Sequence, residues 1–188
     1  SMKQSFQQLK ALPKVNLRDN AATYFAQFSN QVKLEFLGTI KSTAFIVILV
    51  FGILNMISGI SQSDTWYGTG NYPVTYIVTD AIRGTLYLFL IIIITYYSGV
   101  LIWRERNAKM NEFFDASPFP SWVPLLSKFV ALVGITAVIL SVSVILGIIT
   151  QAIKGYTNFE LAVYIKELLL IDLAAFTIVI ALAMLIQV

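Results

Sequence analysis

"FVALVGITAVILSVSVILGIIT", residues 129–150, contains no Asp, Glu, Lys or Arg. A helix rises about 1.5 Å per residue, so this stretch alone reaches the roughly 30 Å of a bilayer's hydrocarbon core. Three more windows share its character. Residues 42–60 (STAFIVILVFGILNMISGI) and 84–102 (GTLYLFLIIIITYYSGVLI) are also free of charge, and residues 168–186 (LLLIDLAAFTIVIALAMLI) carry only Asp172. The shortest of them spans about 28 Å as a helix. A helix that is apolar all round belongs across a membrane or deep inside a large soluble body. Four of them in 188 residues leave no protein to form that body. The expected fold is therefore all-α: a polytopic bundle of four transmembrane helices in residues 42–188.

Composition points the same way. The chain is 57% hydrophobic and 12% charged, whereas soluble domains carry about 25% charge. Cysteine and histidine are both absent. That removes disulfides, thiolate chemistry, His–metal sites, Ser–His and Cys–His catalysis and the HExxH zinc motif. A GxxxxGK[ST] phosphate loop is missing as well, so ATP has no binding motif on this chain. The first apolar window begins too far in to be a cleavable signal peptide. Ser1-Met2 reads as a cloning remnant, and the chain ends two residues after its last apolar window without a flanking anchor. A partial chain is expected.

Lysine and arginine set the orientation. Lys3, Lys10, Lys14, Arg18, Lys33 and Lys41 precede the first span, and Arg104, Arg106, Lys109 and Lys128 lie in the 103–128 connector. Those ten of the thirteen cationic residues fall on one side, assigned to the cytoplasm together with the N-terminus. Arg83, Lys154 and Lys166 fall in the two other loops, 61–83 and 151–167. The net charge of +3 follows from this asymmetry and implies no nucleic-acid partner. The 155–167 loop reads as a short helix capped by Asn158 and running on into the fourth span.

Before the first span, residues 1–18 show no period and read as a tether. Residues 19–41 place Ala21, Phe25, Phe28, Val32 and Phe36 at helical spacing. An amphipathic helix lying in the membrane interface fits this pattern; packing of the same face on another protein is the other reading.

The 103–128 connector is the most ornate part of the chain. Glu105 precedes Lys109 by four residues, the favourable order for a helical ion pair, and Lys109 and Glu112 are three apart. Arg106, Met110, Phe113 and Phe114 trace another side. The second span is thus expected to continue as an amphipathic helix over 103–115. Pro118 and Pro120 then stop it, and Ser121 caps the next helix with Pro124 in its first turn. So many aromatic side chains fit a docking surface for a soluble protein better than an inert linker.

The elements "WRERNAKMNEFFDASPFPSWVPLLSKF" and "GYTNFELAVYIKELL", behind an amphipathic helix, resemble the permeases of type-two ABC exporters. More narrowly, they resemble the bacterial permeases fused to a gluzincin aminopeptidase. The resemblance covers residues 20–188. It implies a coupling helix at 104–117 that seats in a cytoplasmic ABC ATPase subunit, with Arg104, Glu105, Arg106, Lys109, Glu112, Phe113 and Asp115 at the contact. It also implies ATP on that subunit and no cofactor here, a second permease half or a homodimer, and the bacterial inner membrane. Family members have about six spans where this chain shows four, and no peptidase is possible without His.

Within the spans, Asn55, Tyr96 and Asp172 are the candidate pathway or interhelical polar residues. Asp172 is the one ionisable group in a window. It lies near the outer end, where either Lys166 or Arg83 can pair with it, so both a functional and a structural role are open. Tyr97, Ser141 and Ser143 are further hydrogen-bonding candidates, and Ala137/Ser141 and Ser143/Gly147 are small pairs four apart that permit close helix approach. The expected function is a permease without chemistry of its own. A non-transporting scaffold that recruits a protein through the same connector is the alternative. An intramembrane enzyme is disfavoured by the lack of His and of a second intramembrane Asp.

Overall fold

The computed structural model describes residues 21–62, 73–107 and 122–187. Among them, helix α1 spans Ala21–Ile40, α2 Thr43–Gln62, α3 Thr75–Asn107 and α4 Trp122–Ile153. The last span, α5, runs without a break from Leu161 to Gln187. Its opening turn Leu161–Tyr164 is α-helical, Ile165–Asp172 is a π-helix, and Leu173–Gln187 is α-helical again. Four of the described helices, α2 to α5, are long and apolar enough to cross a bilayer. They run up and down in sequence order, and α3 and α4 form the centre of the bundle.

Two spans exceed their charge-free windows. α3 begins at Thr75, so Asp80 and Arg83 stand within a helix rather than in a loop. α4 begins at Trp122, which brings Lys128 into a helix, buried at 3% exposure. An uninterrupted apolar run marks a span only where charges have no partner. Arg83 has partners inside the bundle, described below, and the helix continues through it.

The core is aliphatic. Ile82, Leu90 and Ile94 of α3 meet Leu132, Ile135 and Leu140 of α4 and Leu168 and Ile180 of α5, all at 0–1% exposure. Two glycines set close approaches. A methyl at Gly59 of α2 would overlap Thr85 Cγ2 of α3. A methyl at Gly147 would stand 3.0 Å from the Tyr164 hydroxyl oxygen and 3.1 Å from Ile82 Cδ1. Of the small pair Ser143/Gly147, it is Gly147 at which the helices come close. The hydroxyls of Ser141 and Ser143 donate to the carbonyls of Ala137 and Ile139 in their own helix, both at 2.8 Å, and do not join helices. Gly155, at φ 78°, ends α4 in the left-handed conformation that glycine adopts without penalty.

α1 forms a helix as its periodicity predicts, and Phe28, Val32 and Phe36 of its apolar stripe are half-buried, but the most deeply buried positions lie beside the stripe. Phe25 is 72% exposed, while Glu35 and Thr39 are 2% and 3% exposed. Phe28 lies against Trp122, with ring centroids 6.5 Å apart, and Phe36 packs over Gly134. α1 therefore runs alongside the first half of α4, in the same direction. A two-residue corner then turns the chain into α2. There the Ser42 hydroxyl donates to the Thr39 carbonyl at 2.8 Å and accepts from the Phe45 amide at 3.3 Å, capping α2.

Candidate functional site

The polar side chains of the bundle gather at its two ends. At the end where α3 leaves the bundle, the Arg104 guanidinium donates to Glu35 Oε2 at 2.6 Å, joining α1 to α3. The Glu35 side chain is 3% exposed and that of Arg104 55%. Lys128 is buried on α4, the helix that α1 packs against. Trp103 Nε1 donates to Gln187 Oε1 at 3.0 Å and holds the end of α5 to α3. The Tyr97 hydroxyl meets Ser42 Oγ at the α1–α2 corner. The root of the connector is thus fastened to α1, to α5 and to the corner. Beside it, between α4 and α5, an apolar groove of about 360 Å³ is lined by Trp122, Leu125, Leu126, Phe129, Met184 and Leu185.

At the opposite end, Arg83 of α3 is clasped by α5. Its Nε and Nη2 donate to Asp172 Oδ2 and Oδ1, each at 3.0 Å. Nη2 also reaches Glu167 Oε2 at 2.7 Å and the Glu167 carbonyl at 3.1 Å. Asp80, one turn before Arg83, stands 3.9 Å from Nη1 and is 69% exposed. The π-helix makes this clasp possible. Five residues apart on an α-helix, Glu167 and Asp172 would point about 140° away from each other. The i→i+5 pattern of a π-helix brings them onto one side, and both carboxylates close on a single guanidinium. Asp172 is 3% exposed and so is paired in the way a buried carboxylate requires. Of the two partners offered by the sequence, Arg83 is the one chosen, and Lys166 is exposed.

A second knot lies beside the clasp. The buried carboxamide of Gln151 on α4 donates to the Pro73 carbonyl at 2.9 Å and accepts from the Tyr164 hydroxyl at 2.9 Å. Lys154 Nζ donates to the Ile60 carbonyl at 3.0 Å, closing the end of α2 onto α4. Glu160, not Asn158, precedes the first turn of α5, and its side chain makes no capping bond.

The other candidate residues distribute as follows. Tyr96 is 48% exposed and stacks edge-on against Tyr97 at 5.0 Å; the buried Tyr97 is the tyrosine that joins elements. Asn55 faces outward from α2. Glu105 and Arg106 belong to the last turn of α3. Lys109, Glu112, Phe113 and Asp115 lie outside the described residues. Sequence reasoning missed Glu35, Gln151, Tyr164 and Glu167 as site residues. Glu35 had a signal, since it interrupts an otherwise helical apolar pattern, whereas Glu167 is hidden by the change of period.

Four helices long and apolar enough to cross a membrane, tied by ion pairs at both ends of the bundle, define a polytopic membrane component. Residues 31–188 match the ABC-2 family transporter proteins, and the chain belongs to that family. It is a membrane permease component of an ABC transporter. No curated protein and no solved structure matches the chain.

Proposed function

We propose that this chain is the membrane half of an ATP-driven exporter of the bacterial cytoplasmic membrane, driven by a separate ABC ATPase subunit that seats on the connector after Arg104. The observation that carries this reading is the Glu35–Arg104 pair. It lies where α3 hands over to the connector and ties that point to α1, so a push on the connector reaches α1 and, through Phe28 and Phe36, α4. A loop serving only to join two spans needs no such fastening. Ten of the thirteen cationic residues precede the first span or belong to the 103–128 connector in sequence, which supports a cytoplasmic placement for this end and for the N-terminus. ATP belongs to the partner subunit, this chain holds no cofactor and performs no chemistry, and a second permease half completes the transporter. The zinc aminopeptidase of the fused permeases belongs to the same proposal and is checked by reading the coding sequence beyond Val188.

The test is charge reversal. Glu105→Lys combined with Glu112→Lys, reconstituted with the ATPase subunit, is expected to weaken stimulation of ATP hydrolysis about tenfold or more, because like charges placed across an interface are strongly unfavourable. The unfolding temperature should stay at the wild-type value. Stimulation equal to wild type in the double variant would remove the connector as the coupling element. ATPase binding without any nucleotide-driven movement of the spans would instead favour a scaffold.

A further inference from the structure

Six buried side chains of α5 stand four residues apart in one series: Tyr164, Leu168, Asp172, Phe176, Ile180 and Met184. On a plain α-helix each step of four drifts about 40° round the axis, so such a series cannot keep one face over its length. The π-helix at Ile165–Asp172 takes the drift back, because its i→i+5 pattern fits more residues into a turn. Side chains hold it in that register. Tyr164 donates to buried Gln151, and Arg83 donates to the carboxylates of Glu167 and Asp172. Arg83 Nη2 also reaches the Glu167 carbonyl, which a plain α-helix would reserve for the Ile171 amide. The same segment carries a second apolar stripe. Ala162, Ile165 and Leu169 precede Asp172 at steps of three, four and three, the α-helical spacing. Ala162 and Ile165 are exposed and Leu169 is half-buried.

We propose that the first third of α5 is a two-register element, which leaves the π-helix for a plain α-helix as the Arg83 end of the bundle opens. With Leu173–Gln187 held in the core, the change turns Leu161–Tyr164 by about 100°, one residue's worth of α-helical winding. Ile165 and Leu169 then take the places of Tyr164 and Leu168, so apolar burial is largely conserved. Tyr164 leaves Gln151 and Glu167 leaves Arg83. Asp172 keeps its grip because it lies at the fixed end of the segment, so Arg83 retains a buried partner throughout. The slack passes into residues 156–160, which have no regular structure and follow Gly155 at φ 78°. A π-helix is rare and is frequently found at functional sites; here the bonds to Gln151 and Arg83 set it against its α alternative. The inference rests on the permease reading for what drives the change, not for the two registers themselves.

The chain has no cysteine, so a single probe can be placed cleanly. Ile165→Cys, at a position 49% exposed, is labelled with a trifluoroethyl thiol and read by fluorine NMR in nanodiscs. Two resonances are expected, the minor one from an alternative state populated to about 1–10%. Glu167→Gln exchanges a charged acceptor for a neutral one and should raise the minor-to-major ratio about tenfold. Deleting Leu170 removes the surplus residue. Leu168, Glu167 and Tyr164 then stand three, four and seven residues before Asp172, so a plain α-helix keeps all of them in place. That variant should show one resonance and unfold no sooner than wild type. One resonance in both wild type and Glu167→Gln, an unmoved ratio in Glu167→Gln, or two resonances persisting in the deletion would each overturn the proposal. Should the deletion fail to fold, Glu167→Gln decides alone. Adding the ATPase subunit and ATP should enlarge the minor resonance. A ratio indifferent to ATP while ATPase stimulation is intact would overturn the link to transport, whereas absent stimulation would strike at the permease reading instead.

Discussion

At one end of the bundle a buried carboxylate, Glu35, meets an arginine whose side chain is 55% exposed; at the other, Asp172 meets one that is 24% exposed and is gripped by Glu167 as well. Arg83 sets the Nε–Nη2 edge of its guanidinium against both oxygens of Asp172, an arrangement that is geometrically specific and strong. Arg104 offers Glu35 a single contact from a largely solvated position. The first is a clamp between two spans, made where the backbone itself changes to a π-helix. The second is a latch at the root of a connector, closed from the solvent side. Ion pairs of the same chemistry thus do different work according to how much water reaches the cation: Arg104 can release into solvent, leaving Glu35 as the buried member, whereas Arg83 is held from three sides.

The comparison breaks most directly at Asp172. Asp172→Leu leaves the half-buried Arg83 with Glu167 and the more distant Asp80, and is expected to cost about 3 kcal/mol, the lower end for removing one partner of a buried pair, because these carboxylates remain. The loss is read from unfolding in mixed micelles. Adding Arg83→Met should recover most of it, since replacing both members of a buried pair by apolar residues is often close to neutral. A single variant as stable as the double would mean that Arg83 already reaches water, and the clamp would be no different from the latch.

A smaller effect belongs to Arg104. Arg104→Gln deprives buried Glu35 of its cation but can keep a hydrogen bond, and the exposed guanidinium contributes little through charge alone, so about 1 kcal/mol is expected. Salt sharpens the contrast. Raising ionic strength from 0.1 M to 1 M shortens the screening length from about 10 Å to about 3 Å. That should erase much of the difference between Arg104→Gln and wild type, while the effect of Asp172→Leu persists. Equal salt dependence at both ends would show that burial does not set the distinction.

How much of this was legible in the sequence follows from the same physics. The four spans were, because a charge-free run of membrane length has few other uses. Their ends were not: Asp80, Arg83 and Lys128 read as loop residues by charge, yet they lie in helices that extend beyond the windows. The pairing of Asp172 with Arg83 was one of two open choices, and nothing in a linear pattern favours it over Lys166. Glu167 was invisible, since every helical-wheel argument assumes 3.6 residues per turn and the chain departs from that at Ile165–Asp172. On α1 the apolar stripe predicted the helix, and Phe28, Val32 and Phe36 lie on its inner side; the stripe did not show that Glu35 turns inward to a partner 69 residues away. Asn55 and Tyr96 were singled out as pathway or interhelical polar residues; both face outward, and the bonds between helices are made by Tyr97, Gln151 and Tyr164.

The finest test of the comparison uses one atom at each end. Tyr164→Phe removes a hydroxyl whose acceptor, Gln151 Oε1, is fully buried. Tyr97→Phe removes one whose partner, Ser42 Oγ, keeps its bond to the Thr39 carbonyl. Hydrogen bonds between membrane helices average about 0.6 kcal/mol and rarely exceed about 1.7. Stranding a buried acceptor belongs near the top of that range, so Tyr164→Phe should cost about 1.5 kcal/mol. Tyr97→Phe leaves nothing unsatisfied and should cost about 0.5 kcal/mol, a difference resolvable by paired unfolding curves in one detergent. If Tyr97→Phe proved the more damaging, the rigid end of the bundle would be the one that carries the connector, and the latch would have to be sought at Arg83.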